Sequence, residues 1–178
     1  MFAMIDPSRS GITFNNLETE NDSINPFDME FLYNGGGVAI GDFNNDSLPD
    51  IYFTASQVSN KLYLNKGNFS FRDITEEANV TGEGRWCNAA SVVDINNDGW
   101  QDIYVCASIN KEPSKRTNLF YINQGKQENG IPVFKEMAKE YNLADPGFSV
   151  HAAFLDYDDD GDLDMYLVNT RLAERNGT

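Results

Sequence analysis

Three nine-residue stretches of this 178-residue chain carry oxygen-bearing side chains at alternate positions. They are Asp42-Phe-Asn-Asn-Asp-Ser-Leu-Pro-Asp50, Asp94-Ile-Asn-Asn-Asp-Gly-Trp-Gln-Asp102 and Asp156-Tyr-Asp-Asp-Asp-Gly-Asp-Leu-Asp164, called loops 1, 2 and 3 below. A carboxylate or amide oxygen stands at positions 1, 3, 5 and 9 each time. Hard oxygen donors spaced this way suit calcium, which takes roughly 6–8 oxygens at about 2.3–2.6 Å. With one His and two Cys, the chain offers little to zinc or copper. An EF-hand shares acidic positions 1, 3 and 5 but needs a bidentate Glu at position 12 and flanking helices. Here position 12 is Phe53, Val105 or Leu167, inside apolar runs.

The flanks must position these loops. Val38-Ala-Ile-Gly41, Ala90-Ser-Val-Val93 and Ala152-Ala-Phe-Leu155 enter them; Ile51-Tyr-Phe-Thr54, Ile103-Tyr-Val-Cys106 and Met165-Tyr-Leu-Val168 leave them. These runs are β-branched, aromatic and too short for helices, so strands are expected. Leu62-Tyr-Leu-Asn-Lys-Gly67 matches Phe120-Tyr-Ile-Asn-Gln-Gly125, each with an Asn-x-Gly hairpin signal, and Phe71-Arg-Asp-Ile74 matches Phe134-Lys-Glu-Met137. A worn copy of the last strand is expected at Phe2–Ile5. The unit is therefore four strands with the acidic loop between the first and second. Loop starts at 42, 94 and 156 give spacings slightly above the roughly 40–50 residues of a propeller blade.

These residues resemble the FG-GAP or VCBS repeat, the blade unit of the integrin α-chain propeller and of many bacterial envelope proteins. The loop pattern D-x-[DN]-x-D-G-x-x-D and the loosely kept Gly35-Gly-Gly-Val-Ala-Ile-Gly-Asp42 carry the likeness. The chain is also similar to the propeller of the cartilage acidic protein family. The resemblance implies an all-β arc of four-stranded blades, an incomplete propeller. It would hold the end of a preceding blade and a connection over about 1–34, blades at 35–75 and 86–138, and the start of a blade at 147–178. It implies Ca²⁺ at up to three sites, with side chains at positions 1, 3, 5 and 9 and the carbonyl of position 7 as ligands. These are Asp42, Asn44, Asp46, Leu48 and Asp50; Asp94, Asn96, Asp98, Trp100 and Asp102; and Asp156, Asp158, Asp160, Asp162 and Asp164. Loop 1 departs from the pattern, with Ser47 where a positive-φ Gly is usual and Pro49 after it. Strain of about 1 kcal/mol is expected at Ser47. Loop 3 gathers the most negative charge, so the expected affinity order is loop 3, loop 2, loop 1.

The implied role is a calcium-binding module of a larger secreted, cell-surface or periplasmic protein, scaffolding contact with a protein or glycan. The alternatives are the non-catalytic propeller part of a secreted hydrolase or lyase, and a purely structural spacer. The formal net charge of −15 argues against nucleic acid and anionic lipid as partners. No apolar run approaches the roughly 18 residues of a membrane span, and Met1-Phe-Ala-Met-Ile-Asp6 does not resemble a signal peptide. No elbow motif accompanies His151, so a structural or rim role is expected for it rather than catalysis. Tyr52, Tyr104 and Tyr166 share one place in the repeat; they pack between blades or form an exposed aromatic row for sugar. Trp100, at a loop apex, is a candidate for exposure. With Asp94 set opposite Asp102, Cys87 and Cys106 fall about three residues out of register, so free, mostly buried thiols are expected. The remaining blades of a longer polypeptide are the expected partners of the strand edges at both ends.

Overall fold

The computed structural model describes residues 4–27 and 32–170. Its β architecture is an arc of antiparallel blades, an incomplete propeller. Blade 1 is the sheet β1 (Val38–Gly41), β2 (Asp50–Phe53), β3 (Lys61–Asn65) and β4 (Phe71–Asp73), hydrogen-bonded in that order. Blade 2 repeats it with β5 (Cys87–Val93), β6 (Asp102–Ala107), β7 (Leu119–Lys126) and β8 (Pro132–Glu136). Blade 3 is represented by β9 (Ser149–Leu155) and β10 (Asp164–Asn169), a two-stranded sheet. Each acidic loop joins the first two strands of its blade. Gly41 pairs with Asp50, Val93 with Asp102 and Leu155 with Asp164, so every loop leaves and re-enters its sheet at one level.

The short apolar runs form strands, and in blade 2 both faces of the sheet are covered. Every residue of β6, from Asp102 to Ala107, is buried, which explains an uninterrupted Ile-Tyr-Val-Cys-Ala run where a half-exposed strand would alternate. Ala39, Tyr52, Leu62 and Leu64 of blade 1 meet Cys87, Ile103, Val105, Leu119 and Tyr121 of blade 2 in one core cluster. The opposite face of blade 2, with Tyr104, Cys106, Phe120 and Ile122, meets Ala152, Phe154, Met165 and Leu167 of blade 3 in a second.

Both cysteines are free and buried. Their register differs from the expected three-residue offset. A bulge at Asn88 sets Cys87 opposite Ala107 and Ala89 opposite Cys106, an offset of one residue. A one-residue offset sends side chains to opposite faces: Cys87 joins the core toward blade 1, and Cys106 the core toward blade 3. Burial pushes the two thiols up to about 11 and about 12, leaving them inert at neutral pH.

Phe2, in the expected strand Phe2–Ile5, lies outside the described residues; Met4 and Ile5 are not in a strand and lead into a helical turn, α1 (Pro7–Ser10). The chain then runs across the outer face of blade 1. Phe14 stacks on Phe53 at 4.9 Å, and the Thr13 N–H donates to the Tyr63 hydroxyl at 3.3 Å. The Ser56 N–H donates to Asn16 Oδ1 and the Thr19 N–H to Gln57 Oε1. This segment lies where a neighbouring blade would otherwise pack.

Among the described residues, nothing covers the far end. The outward face of blade 3 exposes His151, Ala153, Leu155, Tyr166 and Val168, and β10 has no strand on its outer edge among the described residues. Unpaired edges beside apolar surface promote association. Light scattering on the purified chain should show concentration-dependent oligomers, and Val168→Lys should reduce them. A clean monomer at high concentration would overturn this. Among the described residues, no helix is long and apolar enough to cross a membrane.

Candidate metal-binding loops

The three loops fold alike, in a way that follows from their residue types. Position 4, occupied by Asn45, Asn97 or Asp159, adopts φ of 53°, 55° and 63°. Asn and Asp tolerate this left-handed region best among residues with a side chain. Position 6 is left-handed too, with φ of 84° at Gly99, 92° at Gly161 and 68° at Ser47. Ser47 thus keeps the loop's shape despite its Cβ, as expected.

These turns aim backbone donors at the carboxylates. The position-1 carboxylate (Asp42, Asp94, Asp156) accepts the N–H of position 5 at 3.0, 3.1 and 3.2 Å and that of position 6 at 2.8, 2.9 and 3.0 Å. The position-5 carboxylate (Asp46, Asp98, Asp160) accepts the N–H of position 7 at 2.9, 2.8 and 3.1 Å. The position-9 carboxylate (Asp50, Asp102, Asp164) accepts the N–H of position 2 at 3.0, 3.1 and 3.0 Å. Each carboxylate has about four lone-pair sites, so these bonds fix its orientation and leave further oxygen lone pairs for a cation.

Two observations bear on whether a cation fits. In loop 1, Asn44 is 6% exposed and its Oδ1 has no hydrogen-bond partner, while its Nδ2 donates to Asp46. A buried amide oxygen without a donor is costly, and a cation would satisfy it. In loop 3, Asp156, Asp158 and Asp164 bring carboxylate oxygens within 4.8 Å of one another on an exposed surface. Asp162, at position 7, is raised from the ordinary carboxylate range, first by the neighbouring charge of Asp160. An all-oxygen donor set of this density fits calcium rather than a softer metal.

Position 9 is anchored beyond its own loop. The second oxygen of Asp50 accepts the Asn65 N–H, and that of Asp102 the Asn123 N–H, both at 2.8 Å. Asn65 and Asn123 end the apolar part of the third strand, and their side chains also cap the Asn-x-Gly turns through Gly67 and Gly125. The hairpin signal was legible in the sequence; the tie to the acidic loop was not. Burial raises Asp50 and Asp102 to about 6.

That shift has a defined sign. A folded-state pKa above the unfolded value means that the metal-free fold holds extra protons between about pH 4 and 6, so its stability falls as pH rises through that window. A cation binding loops 1 or 2 must displace those protons. Calcium titrations should find these two loops about tenfold weaker at pH 5 than at pH 7.5. Equal affinity at the two pH values would mean that Asp50 and Asp102 do not ligate.

Other singled-out residues divide between core and surface. Tyr52 and Tyr104 are fully buried. Each hydroxyl donates to a carbonyl after its blade's fourth strand, Val80 or Leu143, and accepts from an amide before the third, Asn60 or Asn118. That second Asn pair repeats in register, although sequence reading missed it. Tyr166 holds the same position but is 69% exposed, because blade 3 has no covering neighbour among the described residues. His151 is exposed on that same face. Trp100 is half-buried beside Gly125 rather than exposed at the apex.

Residues 42–105 match the family model described as FG-GAP-like repeat, a span running from position 1 of loop 1 into β6 and covering two acidic loops. The chain is 29% identical over 139 residues to "Cartilage acidic protein 1" of Xenopus tropicalis and 29% over 136 residues to that of Mus musculus. These alignments cover 77% and 75% of this chain and 20% of each relative, so the chain spans about a fifth of the length of the curated relatives it matches. Residues 42–105 thus match an FG-GAP-like repeat, in a chain that is similar over three quarters of its length to cartilage acidic protein 1.

Proposed function

We propose that this chain is a non-catalytic, calcium-stabilised propeller module of a larger extracellular protein, presenting its blades as a scaffold for a protein or glycan partner. The observation that carries the metal assignment is the common geometry of the three loops. Each orients the carboxylates of positions 1, 5 and 9 with the same backbone bonds, and in loop 1 a buried amide oxygen at position 3 is left without a donor. Bound calcium would neutralise carboxylates held at close range and clamp the first two strands of each blade. The matches to cartilage acidic protein 1 support an extracellular setting, where millimolar calcium suits weak sites of this kind.

The sites should differ in strength. Loop 3 has acidic side chains at positions 3 and 7, where loops 1 and 2 have Asn and an apolar residue, and it keeps glycine at position 6. Calcium titrations of Asp46→Ala, Asp98→Ala and Asp160→Ala should show the tightest site lost only with Asp160 and the weakest only with Asp46. Loss of the tightest site in Asp46→Ala would reverse the order. No calcium uptake by the unaltered chain would refute the assignment itself.

A further inference from the structure

Loops 1 and 2 are joined by bonds that have no counterpart between loops 2 and 3. Gln101, at position 8 of loop 2, crosses to blade 1, where its Oε1 accepts the N–H of Asp42 at 2.7 Å. Asn45 Nδ2 donates to the Gly99 carbonyl at 3.0 Å. Asn123 Nδ2 donates both to the Phe43 carbonyl of loop 1 at 2.9 Å and to the Gln101 carbonyl of loop 2 at 3.1 Å. Lys126 Nζ reaches the Asn44 carbonyl at 3.1 Å. Among the described residues, no hydrogen bond joins loop 3 to loop 2.

The sequence contains the reason why the Gln101 bond has no counterpart; counterparts of Asn123 and Lys126 would belong to a third strand of blade 3, which is not among the described residues. The residue before loop 1 is Gly41, and a Cβ there would lie 2.5 Å from Gln101 Oε1. Glycine at 41 therefore serves a close approach between blades. At the corresponding junction of blades 2 and 3, Val93 stands in place of Gly41 and Leu163 in place of Gln101. That pair can make neither the approach nor the bond.

We propose that loops 1 and 2 bind calcium as one positively coupled pair through Gln101 and Asn123, whereas loop 3 binds independently. This rests on the calcium assignment above. Gln101 lies between position 7, whose carbonyl is an expected ligand, and the position-9 carboxylate of Asp102. Its side chain meanwhile holds the N–H of Asp42, position 1 of the other loop. Ordering loop 1 around a cation fixes Asp42, and through Gln101 it fixes the backbone that carries two ligand positions of loop 2. The second binding event then costs less ordering entropy, and the effect is reciprocal. Asn123 reinforces it, since its N–H holds Asp102 while its amide spans both loops.

The test is a calcium titration of the whole chain followed by amide NMR. The N–H groups of Ser47, Gly99 and Gly161 report loops 1, 2 and 3, because each bonds the position-1 carboxylate of its loop. Asp98→Asn, which weakens loop 2, is expected to weaken loop 1 by about fivefold or more, while Asp160→Asn leaves loop 1 unchanged. In a Gln101→Met background, the Asp98→Asn effect on loop 1 should shrink toward none. Gly41→Ala should act like Gln101→Met by displacing the flexible end of that side chain; metal-free thermal melts of both variants check that the fold persists. Unchanged loop 1 affinity in Asp98→Asn, or an equal loss with Gln101→Met, overturns the coupling while leaving the calcium sites in place. A tighter loop 1 in Asp98→Asn also overturns it, because repulsion between the ions would then dominate. Absence of calcium binding in the unaltered chain is distinct from these outcomes and refutes the calcium assignment together with the coupling.

Discussion

Removal of calcium is expected to lower the melting temperature of this chain by roughly 15–30 °C, relative to calcium at a hundred times the dissociation constants. Each occupied site then adds about 2.7 kcal/mol, and a domain of this size shifts by about 2–4 °C per kcal/mol. The physical origin is local. Three, three and six aspartates lie within loops 1, 2 and 3, in a chain of 28 acidic and 13 basic residues. The salt bridges among the described residues, such as Lys61–Asp73 and Arg72–Glu77, lie outside the loops. Without a cation, these carboxylates are held by backbone N–H groups and, at Asp46 and Asp98, by the neutral Asn44 and Asn96 amides, and like charge accumulates at the ends of paired strands. Thermal melts in excess calcium and in excess chelator decide the matter. Magnesium should substitute poorly, because it demands near-octahedral geometry and gives up its waters reluctantly. Coincident melts, on protein shown by elemental analysis to be metal-free beforehand, would remove calcium from the account of this fold.

The loops and strands were legible because they are local patterns. Aspartate spacing within nine residues needs no knowledge of the rest of the chain, and a short apolar run bounded by polar residues reads as a buried strand. Non-local features were not legible. Asp102 pairs with Val93 rather than Asp94, and the bulge at Asn88 adds a further residue to one strand; together they reduce the cysteine offset from an expected three to one. No residue type in Cys87-Asn-Ala-Ala announces the bulge. The approach of Gln101 to Gly41 joins residues sixty positions apart. Within its own repeat, Gln101 is only a polar residue in a polar loop. The segment after α1 packs Phe14 on Phe53 with neither helical nor alternating periodicity, so sequence reading placed the N-terminal contribution in a strand at Phe2–Ile5 instead. The asparagines are an intermediate case. Asn60, Asn65, Asn118 and Asn123 recur in matching positions, but asparagine in a turn has so many uses that the repetition alone does not reveal which carboxylate or hydroxyl it serves.

Phe120→Ala should cost about 3–5 kcal/mol of stability and detach blade 3 from blade 2. Phe120 is fully buried and lies among three rings: edge-on to Tyr104 at 5.5 Å and to Tyr141 at 5.4 Å, and parallel-displaced from Phe154 at 6.2 Å. Truncation would leave a cavity that no neighbouring side chain in a β-sheet can easily collapse into, since strand backbones on both sides are fixed by their ladders. Blade 3 depends on this contact more than the others do on theirs. A two-stranded sheet is marginal by itself, and the covered face of β9 and β10 (Ala152, Phe154, Met165 and Leu167) packs into the same cluster. Amide hydrogen exchange in β9 and β10 should therefore accelerate in Phe120→Ala well before exchange in β2 and β3, and calcium affinity should fall at loop 3 while loops 1 and 2 keep theirs. Leu17→Ala, at a residue 58% exposed, serves as the control and should stay within about 0.5 kcal/mol of the unaltered chain. Urea unfolding followed by far-ultraviolet circular dichroism measures both. A loss below about 1 kcal/mol for Phe120→Ala, or uniform acceleration of exchange across all three sheets, would mean that blade 3 is not held by this aromatic cluster and that the arc unfolds as a single cooperative unit.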